Sequence, residues 1–261
     1  MKLEVLTERS TNGRPKGNIV LLHGACMGAW CWSDNFLPWF AGQGFDTHAV
    51  SLRNHGNSER RGSLRFTSIK SYVEDLRQVV GGLEGPVHLI GHSMGGLTVQ
   101  HYLADPAPQV GKVVLLCSAV PHTDLSIIFR LLRDFPLDFL RANFLMSWKP
   151  VFQDARNARK VMLSEAFPEG RLGAVMSRMQ DESFLVFLQI LGLSRPDTAK
   201  VRRPLMIIGG EKDYLITEKA TRRMALTYGV DPLIVKDGPH NLMMEEGWQD
   251  IAGKIVSFLE D

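Results

Sequence analysis

Short apolar runs alternate with helical periodicity along most of the chain. NIVLLHG (18–24), FDTHAVSL (45–52), VHLIG (87–91), KVVLLCS (112–118), PLMIIGG (204–210) and PLIVKDG (232–238) each read as a short strand. Ile69, Tyr72, Val73, Leu76, Val79, Val80 and Leu83 recur at the spacing of one helix face, which predicts a helix over 68–83. Helices are also expected over 94–104 and 218–228. Trp248, Ile251, Ala252, Ile255, Phe258 and Leu259 define a last amphipathic helix. Strands apolar on both faces, alternating with helices, imply an α/β fold with a mostly parallel sheet covered on both sides.

Residues 121–200 break this rhythm. They carry helical patterns (SIIFRLLRDF, DARNARKVMLSEAF, ESFLVFLQILGL) separated by Pro136, Pro150 and Pro168, without a clear strand. The expected organisation is a core of 1–120 and 201–261, with 121–200 inserted as a helical cap over the carboxyl edge of the sheet. Met146, Met162, Met176 and Met179 belong to this insert. They suit either the cap's own core or the wall of an apolar pocket.

Composition narrows the function. A net charge of +2, with no basic run, argues against nucleic acid and anionic membrane as partners. No apolar stretch is long enough to span a bilayer and no signal-peptide pattern opens the chain, so a cytoplasmic location is expected. Cys26, Cys31 and Cys117 make no disulfide framework and read as buried free thiols.

The chemistry concentrates at Gly91-His92-Ser93-Met94-Gly95, a G-x-S-x-G pattern between a strand and a helix. So sharp a turn lifts the serine hydroxyl clear of the backbone, and flanking side chains would collide with neighbouring elements. A serine needs a base and an orienting acid. His240, in a tight loop after the last strand, is the candidate base. Asp213, beyond the end of PLMIIGG, is the candidate acid, with Asp124 as a lesser alternative and Glu211 and Asp237 less well placed. The order Ser93, Asp213, His240 puts all three past strand ends, where open α/β sheets gather their sites. His48 and His88 sit inside strands, and His101 and His122 lie in no motif. His92 is expected to point away from the nucleophile. The oxyanion of an acyl-transfer intermediate needs backbone donors, which Met94 and Ala25 would supply.

LLHGACMGAWCW, SLRNHGNS, GHSMGG, GGEKDYLIT and DGPHNLMME together resemble the α/β-hydrolase superfamily along nearly the whole chain. HGACMGAWCW is similar to the corresponding loop of plant methyl esterases and hydroxynitrile lyases. SLRNHGNS is similar to that of bacterial esterases, C–C hydrolases and cofactor-free haloperoxidases. The resemblance implies the α/β-hydrolase fold, structural roles for Arg53 and His55, and no metal or organic cofactor. Ser93 sets aside the branches with an aspartate nucleophile. Gly24 and Asn241 stand where hydroxynitrile lyases carry threonine and lysine, which argues for hydrolysis. The HGGG loop of lipases is not matched, and there is room for one or two strands before Asn18. The expected function is a serine hydrolase of small to medium, partly apolar esters, thioesters or lactones through an acyl-enzyme. A C–C hydrolase or cofactor-free haloperoxidase on the same residues, and a small-molecule receptor, remain alternatives. A homodimer is compatible with all three.

Overall fold

The run at 18–22 has no exposed position. Ile19 and Leu21 join one apolar cluster, and Val20 and Leu22 join the other, on the opposite face of the sheet. That is why the strand is apolar throughout rather than alternating. The computed structural model describes residues 1–11, 13–107 and 109–261. Its strands are β1 (Glu4–Glu8), β2 (Asn18–Leu22), β3 (Asp46–Ser51), β4 (Val87–His92), β5 (Val110–Leu116), β6 (Leu205–Gly210) and β7 (Pro232–Val235). They form one seven-stranded sheet in the order β1-β3-β2-β4-β5-β6-β7. β1 is antiparallel to β3, and all other neighbours are parallel.

The helices are α1 (Phe36–Gly42), α2 (Ile69–Gly81), α3 (Met94–Leu103), α4 (Ser126–Asp134), α5 (Pro136–Leu145), α6 (Lys149–Phe152), α7 (Ala155–Met162), α8 (Glu169–Arg178), α9 (Phe184–Leu188), α10 (Glu218–Tyr228) and α11 (Trp248–Glu260). α1 and α11 pack on the Ile19 and Leu21 side. α2, α3 and α10 pack on the Val20 and Leu22 side. This is the α/β-hydrolase fold. No helix among the described residues is long and apolar enough to cross a membrane.

Chain order places the crevice. From β2 the chain moves outward to β3, then returns through α2 to β4 on the other side of β2. The carboxyl ends of β2 and β4 therefore lead away from each other and leave a cleft, the usual place for a ligand in such sheets.

Between β5 and β6 lie α4 to α9, with no strand among the described residues. The prolines there separate helices by starting the next one: Pro136 opens α5, Pro150 lies in the first turn of α6 and Pro168 caps α8. α5 and α8 were not expected. α5 turns Leu137, Leu140 and Phe144 outward, so its apolar residues do not mark a buried face. Met162 and Met179 are buried, and all three cysteines are buried and free.

The β4–α3 turn is tightly constrained. A Cβ on Gly91 would lie 2.7 Å from Gly96 Cα, and one on Gly95 only 2.5 Å from His23 O. A Cβ on Gly96 would lie 2.2 Å from Ser118 Oγ. The first turn of α3 is thus wedged between the chain leaving β2 and the chain leaving β5. Gly95→Ala should destabilise the fold by about 3 kcal/mol, because the obstructing atoms are backbone. Gly173 of α8 has open space around it, so Gly173→Ala should stabilise by about 0.5–1 kcal/mol through helix propensity. Thermal melts of the two variants should move in opposite directions.

Candidate active site

Ser93 sits in the turn with φ 52° and ψ −118°. For a residue with a Cβ this is a strained conformation, kept only where its surroundings over-determine it. Here Ser93 N–H donates to Leu116 O at 3.1 Å, while Ser93 O accepts from Gly96 N and Ala119 N, each at 3.0 Å. The strain is held by β5 on one side and α3 on the other.

His240 follows β7 in a loop fixed from several directions. Its Nδ1 lies 2.8 Å from Asp213 Oδ2. Asp213 Oδ1 accepts from Leu215 N and Ile216 N, both at 2.8 Å. The carboxylate is thereby aimed at the imidazole, which makes Nδ1 the donor and leaves Nε2 facing the cleft. Asn241 N–H donates to Met162 O at 2.9 Å, tying the histidine loop to α7.

A cavity of about 20 Å³ is lined by Ala25, Ser93 and His240, together with Cys26, Met27, His92, Phe152, Met162, Leu215 and Asn241. A second, of about 40 Å³, meets Ala25 and Ser93 from the other side and is walled by Ile127, Trp148, Phe152, Phe187 and Ile190 of the insert. Ser93, His240 and Ala25 therefore come together, with Asp213 behind the histidine. Met94 is the first residue of α3, so its N–H has no intrahelical partner. Asp124 instead accepts from Ser126 N at the start of α4.

His92 is nearer the centre than expected. Its ring packs 4.8 Å from that of His240, and its Nε2 donates to His240 O at 3.1 Å. Burial and the neighbouring His240 push its pKa well down, so it stays neutral and steadies the His240 backbone. His23 is neutral too, because burial takes its pKa down to about 3. Its Nδ1 donates to Gly24 O and its Nε2 accepts from Leu52 N.

Cys117, Asp213 and His240 bring one metal-ligand-type atom each within 4.8 Å of one another. However, Asp213 and His240 already share a proton, and burial followed by the Asp213 charge pushes the Cys117 thiol up. The trio stands as a hydrogen-bonded cluster.

The model of the alpha/beta hydrolase family matches residues 19–254. The chain belongs to the alpha/beta hydrolase family. It is 32% identical over 116 residues to Methylesterase 3 of Arabidopsis thaliana, a match covering 44% of each chain. The chain thus matches less than half the length of that relative. Among solved structures, it is similar to an esterase from Exiguobacterium antarcticum (TM-score 0.75, 18% identity, 99% of this chain and 96% of the other). It is likewise similar to a putative non-heme bromoperoxidase from Mycobacterium tuberculosis (TM-score 0.76, 18% identity, 100% and 96%). At these identities the structural likeness shows the fold.

Sequence reasoning missed a buried polar cluster beside Ser93. Glu182, 2% exposed, lies with Oε2 3.1 Å from His55 Nε2, off the line of a straight hydrogen bond. Tyr72 OH donates to Glu182 Oε1 at 2.7 Å. His55 Nδ1 donates to Arg53 O at 3.0 Å, so neither ring nitrogen is needed as an acceptor and the imidazolium form fits. Burial opposes the charge on both partners. The pairing outweighs it, so the His55 pKa is raised and the Glu182 pKa lowered. Glu182 lies 110 and more residues from Tyr72 and Cys26 in sequence, so no local signal marked it, although SLRNHGNS had pointed to a structural role for His55.

This pair gives a pH dependence with a defined sign. The His55 contribution to stability is full below the usual histidine value of about 6.5 and is lost as pH rises through the raised pKa. The Glu182 contribution is full above the usual carboxylate value of about 4.3 and is lost as pH falls through the lowered one. Removing the partner of a buried charge costs about 3–5 kcal/mol. The melting temperature lost on His55→Gln should therefore be largest between about pH 5 and 6, and should shrink toward about pH 9.

Proposed function

We propose that the protein is a serine carboxylesterase acting on compact, partly apolar esters, thioesters or lactones. The observation that carries this reading is the 2.8 Å Asp213–His240 hydrogen bond, set beside a strained serine turn in one cavity. Ser93 Oγ attacks the acyl carbon and passes its proton to His240 Nε2. Asp213 holds the tautomer and stabilises the imidazolium. The N–H groups of Ala25 and Met94 receive the oxyanion. His240 then protonates the leaving alcohol, and a water activated by the same nitrogen releases the acid. The reaction asks for no metal or organic cofactor, and neither nucleic acid nor membrane is part of it.

Residues 121–200 act in this reading as a cap that sets substrate class. Trp148, Phe152 and Phe187 give the cavity an apolar wall. Ser93 is 8% and His240 3% exposed. Cavities of about 20 and 40 Å³ are far below the hundreds of Å³ a small-molecule site needs, so substrate enters when the cap shifts.

Short p-nitrophenyl esters test the proposal. Ser93→Ala should lower kcat at least ~10⁴-fold, and Asp213→Asn by a similar factor. Undiminished turnover by Ser93→Ala would sink the assignment. A C–C hydrolase or haloperoxidase on the same residues would leave simple esters uncleaved. A receptor would leave Ser93 unlabelled by a fluorophosphonate.

A further inference from the structure

We propose that Glu182 is a positioning residue for the oxyanion hole, acting from the helical insert through the peptide of Cys26. The inference rests on the esterase reading above, because it concerns the loop that carries the Ala25 N–H.

Cys26 follows Ala25 directly and adopts φ +65°, a left-handed conformation that a residue with a side chain seldom takes. Both of its backbone polar groups are held by the insert. Cys26 N–H donates to Glu182 Oε2 at 3.3 Å, and Cys26 O accepts from Gln180 N–H at 2.9 Å. Gln180 is itself anchored to the core, its Oε1 accepting from Gly56 N–H at 2.6 Å. Glu182 thus holds the Ala25–Cys26 peptide and Gln180 the Cys26–Met27 peptide, directly after the residue whose N–H faces the cleft.

Glu182 borders the cavity beside Ser93 and Ala25, so a direct role in binding substrate has to be considered. Most of its acceptor capacity is taken. Oε1 accepts from Tyr72 OH and Ser183 N–H, each at 2.7 Å, and Oε2 accepts from Cys26 N–H while facing His55. A carboxylate held by three donors and an ion pair positions its neighbours rather than recruiting a ligand.

The chemical consequence is specific. A carboxylate accepts on both oxygens, whereas a glutamine places an NH₂ at one of them. At the Oε1 position the NH₂ would face the Ser183 N–H. At the Oε2 position it could donate to a neutral His55 but would face the Cys26 N–H, donor against donor. Glu182→Gln therefore keeps the shape of the site but sets a donor against a backbone N–H in either orientation, at Ser183 or at Cys26, so the single grip on both peptides is lost.

The test combines steady-state kinetics on a p-nitrophenyl ester with the inhibition constant of an aryl trifluoromethyl ketone. Ser93 Oγ adds to the ketone carbon, its proton goes to His240, and the former carbonyl oxygen becomes the oxyanion. Glu182→Gln, shown to be folded by near-ultraviolet circular dichroism, should lower kcat on the order of 10²-fold with KM within about threefold, and weaken the ketone by a similar factor. Tyr72→Phe, which removes a bond to Glu182 but leaves the Cys26 contact, should lower the melting temperature while kcat stays within about threefold of the parent. Should Glu182→Gln not fold, Glu182→Asp keeps the charge, shortens the reach and is judged by the same criteria. Parental kcat and ketone affinity in the folded variant, with Ser93→Ala inactive, would overturn this inference and leave the esterase reading standing. Full turnover by Ser93→Ala would remove the reading on which it rests.

Discussion

The steric fit of the β4–α3 turn is the constraint on which the site depends. Three glycines let the backbone of α3 touch the chain leaving β2, the chain leaving β5 and its own parent strand. Because no Cβ intervenes, Ser93 is carried into the crevice between β2 and β4, and its backbone is fixed by hydrogen bonds from outside the turn. The strain at φ 52° is small against that packing. It is stored where it is useful, since a relaxed serine would lie along the helix and not project into the cleft.

The other groups reach the same point because parallel strands all end on one edge. Asp213 follows β6, His240 follows β7 and the Ala25 loop follows β2. Each needs only a few residues of loop to arrive. Burial then sorts the histidines of the region by charge. His23 and His92 lie under the cleft without an ion-pair partner, and at His23 burial outweighs the charges of Glu182 and Glu4, so desolvation keeps both neutral. His55 has Glu182, and that pairing raises its pKa. The result is a neutral frame around the Asp213–His240 pair, with His55 held against its own counter-charge, Glu182.

Much of this was legible in the sequence, and physical reasons separate what was from what was not. β2, β4, β5 and β6 announce themselves because inner strands of the sheet are largely apolar runs, and the half-buried edge strand β7 still keeps the apolar PLIV. β1 does not, because an edge strand with mostly exposed residues leaves little pattern, and only the space for it could be inferred. α2, α10 and α11 each bury one stripe against the sheet and keep a helical period. α5 defeats that logic by turning Leu137, Leu140 and Phe144 outward. Ser93, Asp213 and His240 were readable because each stands just past its own strand, so local sequence carries its position. Glu182 is a lone acid before an apolar run, and its meaning comes entirely from His55, Tyr72 and Cys26, brought to it by the tertiary fold.

On the proposed esterase reading, an ionised carboxylate beside the Ala25 and Ser93 cavity poses an electrostatic problem. In a dry cavity an uncompensated negative charge at Glu182 would oppose the charge developing on substrate. His55 resolves this by sitting 3.1 Å away as a cation, and the Tyr72 hydroxyl and two backbone N–H groups spread what remains over hydrogen bonds. The pair is therefore close to neutral when seen from Ser93, while still strong enough to hold the Cys26 peptide at a positive φ. A hydrophobic residue in place of Glu182 would remove the charge problem at lower desolvation cost, but it could not accept the Cys26 N–H. The use of an ion pair here follows from the need to orient a backbone donor, which apolar packing alone does not supply.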